Sequence, residues 1–543
     1  MGSEGGRTIP WSFSLNLLFS YLLVSFFLGD VGLFISELLS TQQPIKQGTL
    51  SMDWTGTVLL LLLLSITCLL LAKGVYKTKG HLPPGPRPLP LLGNLLQLRS
   101  RDMLASLTKL SQEYGPVFTV HLGTRPVVVL SGYEAVKEAL VDKAEEFSGR
   151  GEYPVFHDFT KGNGIAFSNG EKWKVLRRFS IQILRNFGMG KKSIEERILE
   201  EESFLLEELK KTEGTPFDPT FVLSRSVSNI ICSVIFGSRF DYEDERLLKI
   251  VQLINDNFKI MSSPWGEMYN IFPGLLQWIP GPHHRLFQNF GCMKALIDQS
   301  IHEHQARLDS SSPSDFIDCF LIKMAEEAKS PDSHFHMETL VKTTHNLLFG
   351  GTETVGTTLR HGFLLLMKYP HIQARVQEEI DRVVGRGRRP ALEDRAAMPY
   401  TDAVLHEVQR FADVIPMNLP HRVTRDTAFR GFLLPQGTEI ITLLNTVHYD
   451  PSQFQTPHEF NPAHFLDSKK DFKKSPAFMP FSAGRRLCLG EPLARMELFL
   501  YLTGILQNFT LHPLCPVEEI DVTPLSSGLG NVPRPFQLRM LPR

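Results

Sequence analysis

The 543-residue chain has almost no charge imbalance: 57 Lys and Arg stand against 58 Asp and Glu, a net charge of −1. Without a basic excess to neutralise phosphates, the composition does not favour nucleic acid as a partner. Cysteine is scarce as well. Its six copies, at 68, 232, 292, 319, 488 and 515, form no compact framework. A chain this long needs no covalent staples, so they read as reduced thiols on the cytosolic side. Beyond residue 90 there is no Pro/Gly/Ser linker, charged tail or internal repeat. A length that allows about three domains of ~150 residues therefore reads as one large domain over 91–543. No strand, glycine-rich turn and helix follow one another as in a dinucleotide fold, so any reducing electrons come from another protein.

Apolar length is concentrated at the amino terminus. Val58 to Ala72 reads VLLLLLLSITCLLLA and, with Trp54 to Thr57, approaches the ~20 residues that span a bilayer. Lys73, Lys77 and Lys79 follow it and Asp53 precedes it, which puts the rest of the chain in the cytosol. No small-residue cleavage site precedes the basic cluster, so 54–72 reads as a retained signal anchor. Residues 73–90 then form a basic, proline-rich hinge, ending His81-Leu-Pro-Pro-Gly-Pro-Arg-Pro-Leu-Pro90, whose prolines stiffen the chain. Residues 1–51 are an atypical extension with a further apolar stretch from Trp11 to Leu28.

Helical periodicity covers Asp102–Tyr114, Ser193–Lys211, Phe221–Phe236, Leu247–Phe258, His336–Lys368, Ile372–Val384 and Ala403–Phe411. Val117–Val120 and Val127–Leu130 bracket Gly123-Thr-Arg as a hairpin, and Glu439–Asn445 is β-like. The expected class is mainly α with minor β.

The most informative window is Phe481-Ser-Ala-Gly-Arg-Arg-Leu-Cys-Leu-Gly490, with the apolar run Leu493–Leu506 behind it. A turn that frees backbone N–H groups, with arginines beside it, is what a thiolate at Cys488 requires. Gly484 and Gly490 read as positions where a flat ligand approaches the backbone closely. The bland alternative is a structural cysteine behind a glycine turn. The pattern F-x-x-G-x-R-x-C-x-G resembles the haem-binding signature of the cytochrome P450 family, the haem-thiolate monooxygenases. The resemblance makes Cys488 the axial ligand of haem b iron and Arg486 a propionate contact, with Phe481 and Gly484 in the same loop. It extends from about residue 54 to the end and implies the cytochrome P450 fold behind a membrane anchor. Met52 matches the family's ordinary start, which leaves residues 1–51 open between an alternative exon, a gene-model artefact and a second span.

Other motifs take their meaning from the same resemblance. Gly350-Gly-Thr-Glu-Thr-Val355 places two glycines inside a helix, at about 1 kcal/mol each, so space beside the backbone is expected. Thr354 is positioned to open the main-chain ladder with its hydroxyl. In the family this segment crosses the distal haem face, where the threonine orients dioxygen and water and the acid, here Glu353, helps deliver protons. Glu407-Val-Gln-Arg410 matches the family's E-x-x-R brace, with His464 of Pro462-Ala-His-Phe465 as its third member. Trp173, Arg177, His421 and Arg486 form the implied propionate set. Lys172, Lys174, Arg178, Arg185, Lys473, Lys474 and Arg485 form a basic face for an acidic redox protein. The family implies NADPH–cytochrome P450 reductase there, with cytochrome b5 as a second donor. Phe156, Phe159, Ile415, Met417 and Leu529 are expected to line an apolar pocket for small lipophilic molecules.

Ile181-Gln-Ile-Leu-Arg-Asn-Phe-Gly-Met-Gly190, Leu405-His-Glu-Val-Gln-Arg-Phe411 and Pro476-Ala-Phe-Met-Pro-Phe-Ser482 resemble the microsomal xenobiotic branch, family two, most of all its subfamily F. The implied activity inserts one oxygen atom of dioxygen into small, aromatic xenobiotics at the cytosolic side of the endoplasmic reticulum membrane. Two rivals stand beside it: a haem-thiolate isomerase or dehydratase that needs no reductase, and a non-enzymatic membrane haem protein.

Overall fold

The computed structural model describes residues 82–98, 102–188 and 192–543. The anchor at 54–72 and the extension 1–51 lie outside the described residues. Among the described residues no helix is long and apolar enough to cross a membrane.

The long helices are α1 (Met103–Tyr114), α2 (Gly170–Asn186), α3 (Lys192–Lys210), α4 (Thr220–Ile235), α5 (Glu245–Met261), α6 (Pro282–Arg307), α7 (Phe316–Glu326), α8 (Met337–Lys368), α9 (Pro370–Val383), α10 (Pro399–Ala412) and α11 (Glu491–Asn508). Their ends follow local chemistry. The Asp102 carboxylate accepts from the Ala105 amide to start α1, and Gly115, at φ 88°, ends it. Proline opens α6, α9 and α10, where its missing N–H costs nothing. Asp315 caps α7 by accepting from the Asp318 amide at 2.9 Å.

The strands are β1 (Val117–Leu122), β2 (Arg125–Ser131), β3 (Gly149–Arg150), β4 (His421–Arg422), β5 (Thr427–Phe429), β6 (Phe432–Leu434), β7 (Glu439–Leu443), β8 (Phe509–Pro513), β9 (Ser526–Ser527), β10 (Asn531–Val532) and β11 (Leu538–Pro542). The largest sheet runs β1-β2-β7-β4-β3. The expected hairpin is there, with Val117 opposite Leu130 and Gly123 at φ 62° in the turn. Its partner β7 lies parallel to β2, Val127 beside Glu439. Mainly α with minor β is therefore the observed class.

Helix α8 runs through the centre of the largest core cluster, which α3, α4, α7, α10 and α11 complete. Leu348, Phe363, Leu205, Phe316 and Phe499 are fully buried there, each stabilising the fold by about 1.5–3 kcal/mol. Gly351 is the close-approach point, because a Cβ would stand 2.9 Å from Ile231 Cγ1 of α4. Glu407 and Arg410 of α10 are both wholly buried and form a two-toothed pair at 2.7 and 2.8 Å. Arg410 also donates to the carbonyls of His448, Pro457 and Glu459, while His464 Nδ1 meets Glu407 at 3.2 Å. The brace thus ties α10 to the long segment before the cysteine loop.

Candidate active site

Cys488 lies between a short 3-10 turn, Gly484–Arg486, and the start of α11. Its amide donates to the Phe481 carbonyl at 3.0 Å, closing the loop. The sulfur faces the amides of Gly490 and Glu491, which lower the thiol's pKa at the positive end of α11. Burial is the larger influence and pushes the thiol up. Cys488 is nevertheless an exposed residue. At φ 71°, Gly484 has the Leu140 carbonyl oxygen where a Cβ would be, so backbone makes a close approach to it. Gly490 has an ordinary φ of −86° and a position where a Cβ would stand 3.9 Å from the Cys488 sulfur.

Three guanidiniums converge on one side of this loop. Arg177, on α2, donates to the Leu487 carbonyl. Arg486 donates to the Ser148 and Ser168 carbonyls at 2.8 and 2.9 Å and lies 3.8 Å over the Trp173 ring. Arg150, on β3, donates to the carbonyls of Ala166, Leu419 and Pro420. Sequence reasoning missed Arg150, a lone arginine between glycines whose only signal is its pairing with β4. No acid pairs with any of the three among the described residues. Burial and mutual repulsion push Arg486 down to about 8, and burial with the nearby Arg177 pushes Arg150 down to about 9. The Trp173 indole N–H and Arg486 Nη1 are buried without any partner. His421 lies on β4 with Nδ1 donating to the Phe147 carbonyl at 2.7 Å, and burial pushes it down to about 3.

On α8, Gly350 is exposed and Thr354 half-buried, and a Cβ on Gly350 would meet nothing within 4 Å. The Thr354 hydroxyl donates to the Gly350 carbonyl at 2.8 Å, as expected of a ladder-opening threonine. Glu353 turns to the other side. Its Oε1 accepts from Thr357 at 2.8 Å and Arg360 at 2.9 Å, and Oε2 is unpartnered. Burial pushes this carboxyl up despite Arg360, so it is suited to carry a proton.

The sequence model of the family described as Cytochrome P450 matches residues 83–540. The chain belongs to the cytochrome P450 family. It is 76% identical to Cytochrome P450 2F1 of Homo sapiens over 492 residues, covering 91% of this chain and 100% of that relative. It is 79% identical to Cytochrome P450 2F2 of Mus musculus over 462 residues, covering 85% and 94%, respectively. Against Cytochrome P450 2C5 of Oryctolagus cuniculus the identity is 54% over 484 residues, 89% of this chain and 99% of the relative. The chain is thus a family-two member resembling subfamily F, a haem-dependent monooxygenase that works with a redox partner and a small-molecule substrate. Cytochromes P450 use haem b, with electrons that originate in NADPH.

The residues fit that cofactor. A buried cationic cluster with no acid beside it, together with orphaned indole and guanidinium donors, is a setting that two carboxylates would neutralise and satisfy. The accessible thiol among backbone amides is a setting for metal-bound sulfur. The residues expected to form an apolar lining fall into two hydrophobic clusters. Phe156, Phe159, Ile415 and Leu529 share one cluster with Phe290 and Phe349. Met417 does not join them; it packs under the β1–β2 hairpin with Phe118 and Leu443. Not all residues of the expected basic face line one cavity. Lys174, Arg177, Arg178, Arg185 and Arg485 line an open cavity of about 720 Å³, with Glu145 at its edge paired to Arg485. Lys172 instead donates to Asn163 at 2.5 Å, and Lys473 and Lys474 lie outside the cavity lining.

Proposed function

We propose that this cytochrome P450 oxidises small lipophilic, aromatic xenobiotics at a haem held by Cys488, with electrons delivered by NADPH–cytochrome P450 reductase and cytochrome b5 as a second donor. The acid-free cluster of Arg150, Arg177 and Arg486 beside the Cys488 loop carries the reading. When bound, haem supplies the activation of dioxygen. Cys488 gives up its thiol proton and is held as thiolate by the Gly490 and Glu491 amides. Trp173, Arg177 and Arg486, with Arg150, bind the propionates; His421 joins them only as an imidazolium, since its Nδ1 proton is already committed to Phe147.

Thr354 orients the water and dioxygen that reach the open side of α8, and its hydroxyl relays protons to them. Glu353 supplies those protons after leaving Thr357 and Arg360 or through ordered water. The aromatic walls exclude bulk water and orient the substrate. Lys174, Arg178, Arg185 and Arg485, around the 720 Å³ cavity, belong to the docking face for the acidic redox partner. The chain comprises an extension (1–51), an anchor (54–72), a hinge (73–90) and a catalytic domain (91–543), seated on the cytosolic face of the endoplasmic reticulum membrane.

Product formation that requires both NADPH and the reductase tests the reading and separates it from a reductase-independent isomerase and a haem carrier. Cys488→Ser is expected to abolish both the red-shifted ferrous carbon monoxide absorbance and turnover. Retention of both by that variant would overturn the assignment.

A further inference from the structure

Between α10 and β4, Asn418 holds a φ of 55°, in the left-handed region that few residues other than glycine and asparagine adopt. Its side chain joins three parts of the chain. Oδ1 accepts from the Leu419 amide at 2.9 Å, which orients the carboxamide and turns its NH2 group outward. Nδ2 donates to Thr442 Oγ1 of β7 and to Ser482 Oγ, both at 2.9 Å. His421 Nε2 lies 3.4 Å from the same nitrogen; with the ring proton on Nδ1 given to Phe147, it presents a lone pair. Ser482, at φ 62°, shares the left-handed region without asparagine's tolerance for it, so its surroundings hold it there. Among the described residues its hydroxyl meets no side chain besides Asn418. Ser482 directly follows Phe481, whose carbonyl accepts from the Cys488 amide at 3.0 Å. Two residues further on, the Leu140 carbonyl presses against Gly484.

We infer that Asn418 is a positioning residue of the cysteine loop, which it ties to the largest sheet by donating to Ser482, so that Cys488 keeps its thiolate bond to haem iron. The inference rests on the haem-thiolate reading and extends it. The path is short. Asn418 holds Ser482 in its left-handed turn, that turn aims the Phe481 carbonyl at the Cys488 amide, and this bond keeps the loop closed. The same carboxamide touches His421, so the loop and one member of the propionate set share an anchor. Loss of the Asn418–Ser482 bond frees the loop at its entry while the Glu407–Arg410 brace and the core around α8 keep their own contacts.

The test uses purified holoenzyme. Asn418→Gly removes the carboxamide while accepting φ 55°, so the variant adds no backbone strain; Ser482→Ala removes only the acceptor. The readout is the rate at which the ferrous carbon monoxide complex passes from thiolate-type to thiol-type absorbance at one fixed, mildly raised temperature. Each single variant is expected to convert about threefold to tenfold faster than the parent, the worth of one hydrogen bond. The double variant should be no faster than the faster single, since both remove the same contact. Hydrogen–deuterium exchange over 481–490 should rise in these variants and stay at the parent's level in α8 and α10. Parent-like conversion in Asn418→Gly overturns the inference, and in Ser482→Ala it does so even where Asn418→Gly yields no holoprotein. Effects that multiply in the double variant overturn it too, because Asn418 then acts through Thr442 or His421. So does faster exchange throughout the molecule, the mark of a merely structural residue. Any of these beside a thiolate-type parent spectrum confines the failure to Asn418; a parent without that spectrum overturns the haem-thiolate reading and this inference with it.

Discussion

Removing either half of the Glu407–Arg410 brace should not have equal effects, and the asymmetry can be worked from the hydrogen bonds. Glu407→Ala deletes two bonds to Arg410 and frees the Asn461 amide, which donates to Glu407 at 2.8 Å. It leaves a buried cation that still touches three carbonyls, a loss of about 3–5 kcal/mol. Arg410→Met strands the Glu407 carboxylate and also unpairs the carbonyls of His448, Pro457 and Glu459. At about 1–3 kcal/mol for each unsatisfied carbonyl and about 3–5 kcal/mol for the stranded carboxylate, the total of about 6–14 kcal/mol is comparable to the typical 5–15 kcal/mol stability of a domain. Glu407→Gln keeps one acceptor and should cost about 1.5–3 kcal/mol. The order of damage is then Arg410→Met, Glu407→Ala, Glu407→Gln, with no folded holoprotein from the first two. The double variant Glu407→Ala/Arg410→Met is the sharper arm. If the pair mattered only through mutual charge, two neutral residues would be close to neutral together. The three orphaned carbonyls predict no recovery. Thermal unfolding followed by circular dichroism and haem absorbance reads the series. A double variant within about 1 kcal/mol of the parent would refute the carbonyl clamp.

Gly484→Ala should yield no haem-loaded protein, because a Cβ there overlaps the Leu140 carbonyl at a positive φ, whereas Gly490→Ala should retain the haem spectrum. Thr354→Ala should uncouple NADPH consumption from product formation, read as the ratio of the two rates; unchanged coupling would remove its hydroxyl from proton relay. His304 links α6 to the cap of α7: Nδ1 meets the Ser300 carbonyl at 2.6 Å and Nε2 meets Asp315 at 2.9 Å. Burial opposes its charge, but Asp315 and Ser300 outweigh burial and raise it above 6.5. Its stabilisation is therefore complete below pH 6.5 and disappears as pH rises through the folded-state value. The Tm difference between parent and His304→Gln should be larger at pH 6 than at pH 9, and a constant difference would exclude the imidazolium.

Much of this was legible before any coordinates. The apolar period of 336–368 became α8, and the spacing around Cys488 located the loop, because both signals are local. What escaped notice depends on residues far apart in the chain. Arg150 has no motif of its own; its place beside Arg486 comes from β3 pairing with β4, Arg150 opposite His421. Met417 sits between lining residues in sequence, yet packs under the hairpin instead. The close approach of the Leu140 carbonyl to Gly484 was not legible either, since it comes from a segment more than 300 residues away. Helices α6 and α7 were not foreseen. Polar residues in the last turns of α6, His302-Glu-His-Gln-Ala-Arg307, weaken its periodicity, and α7 takes its start from the Asp315 cap.

The gathering of Arg150, Arg177 and Arg486 has a consequence for how the protein is made. Two of these like charges come from the first third of the polypeptide and the third from near its carboxyl end, and bringing them together works against folding until an anion arrives. A newly synthesised chain short of pigment would keep that corner ajar, open to proteases and chaperones, whereas binding of the porphyrin would draw the equilibrium towards closure by mass action. Cellular abundance of this protein would then track porphyrin supply as well as transcription.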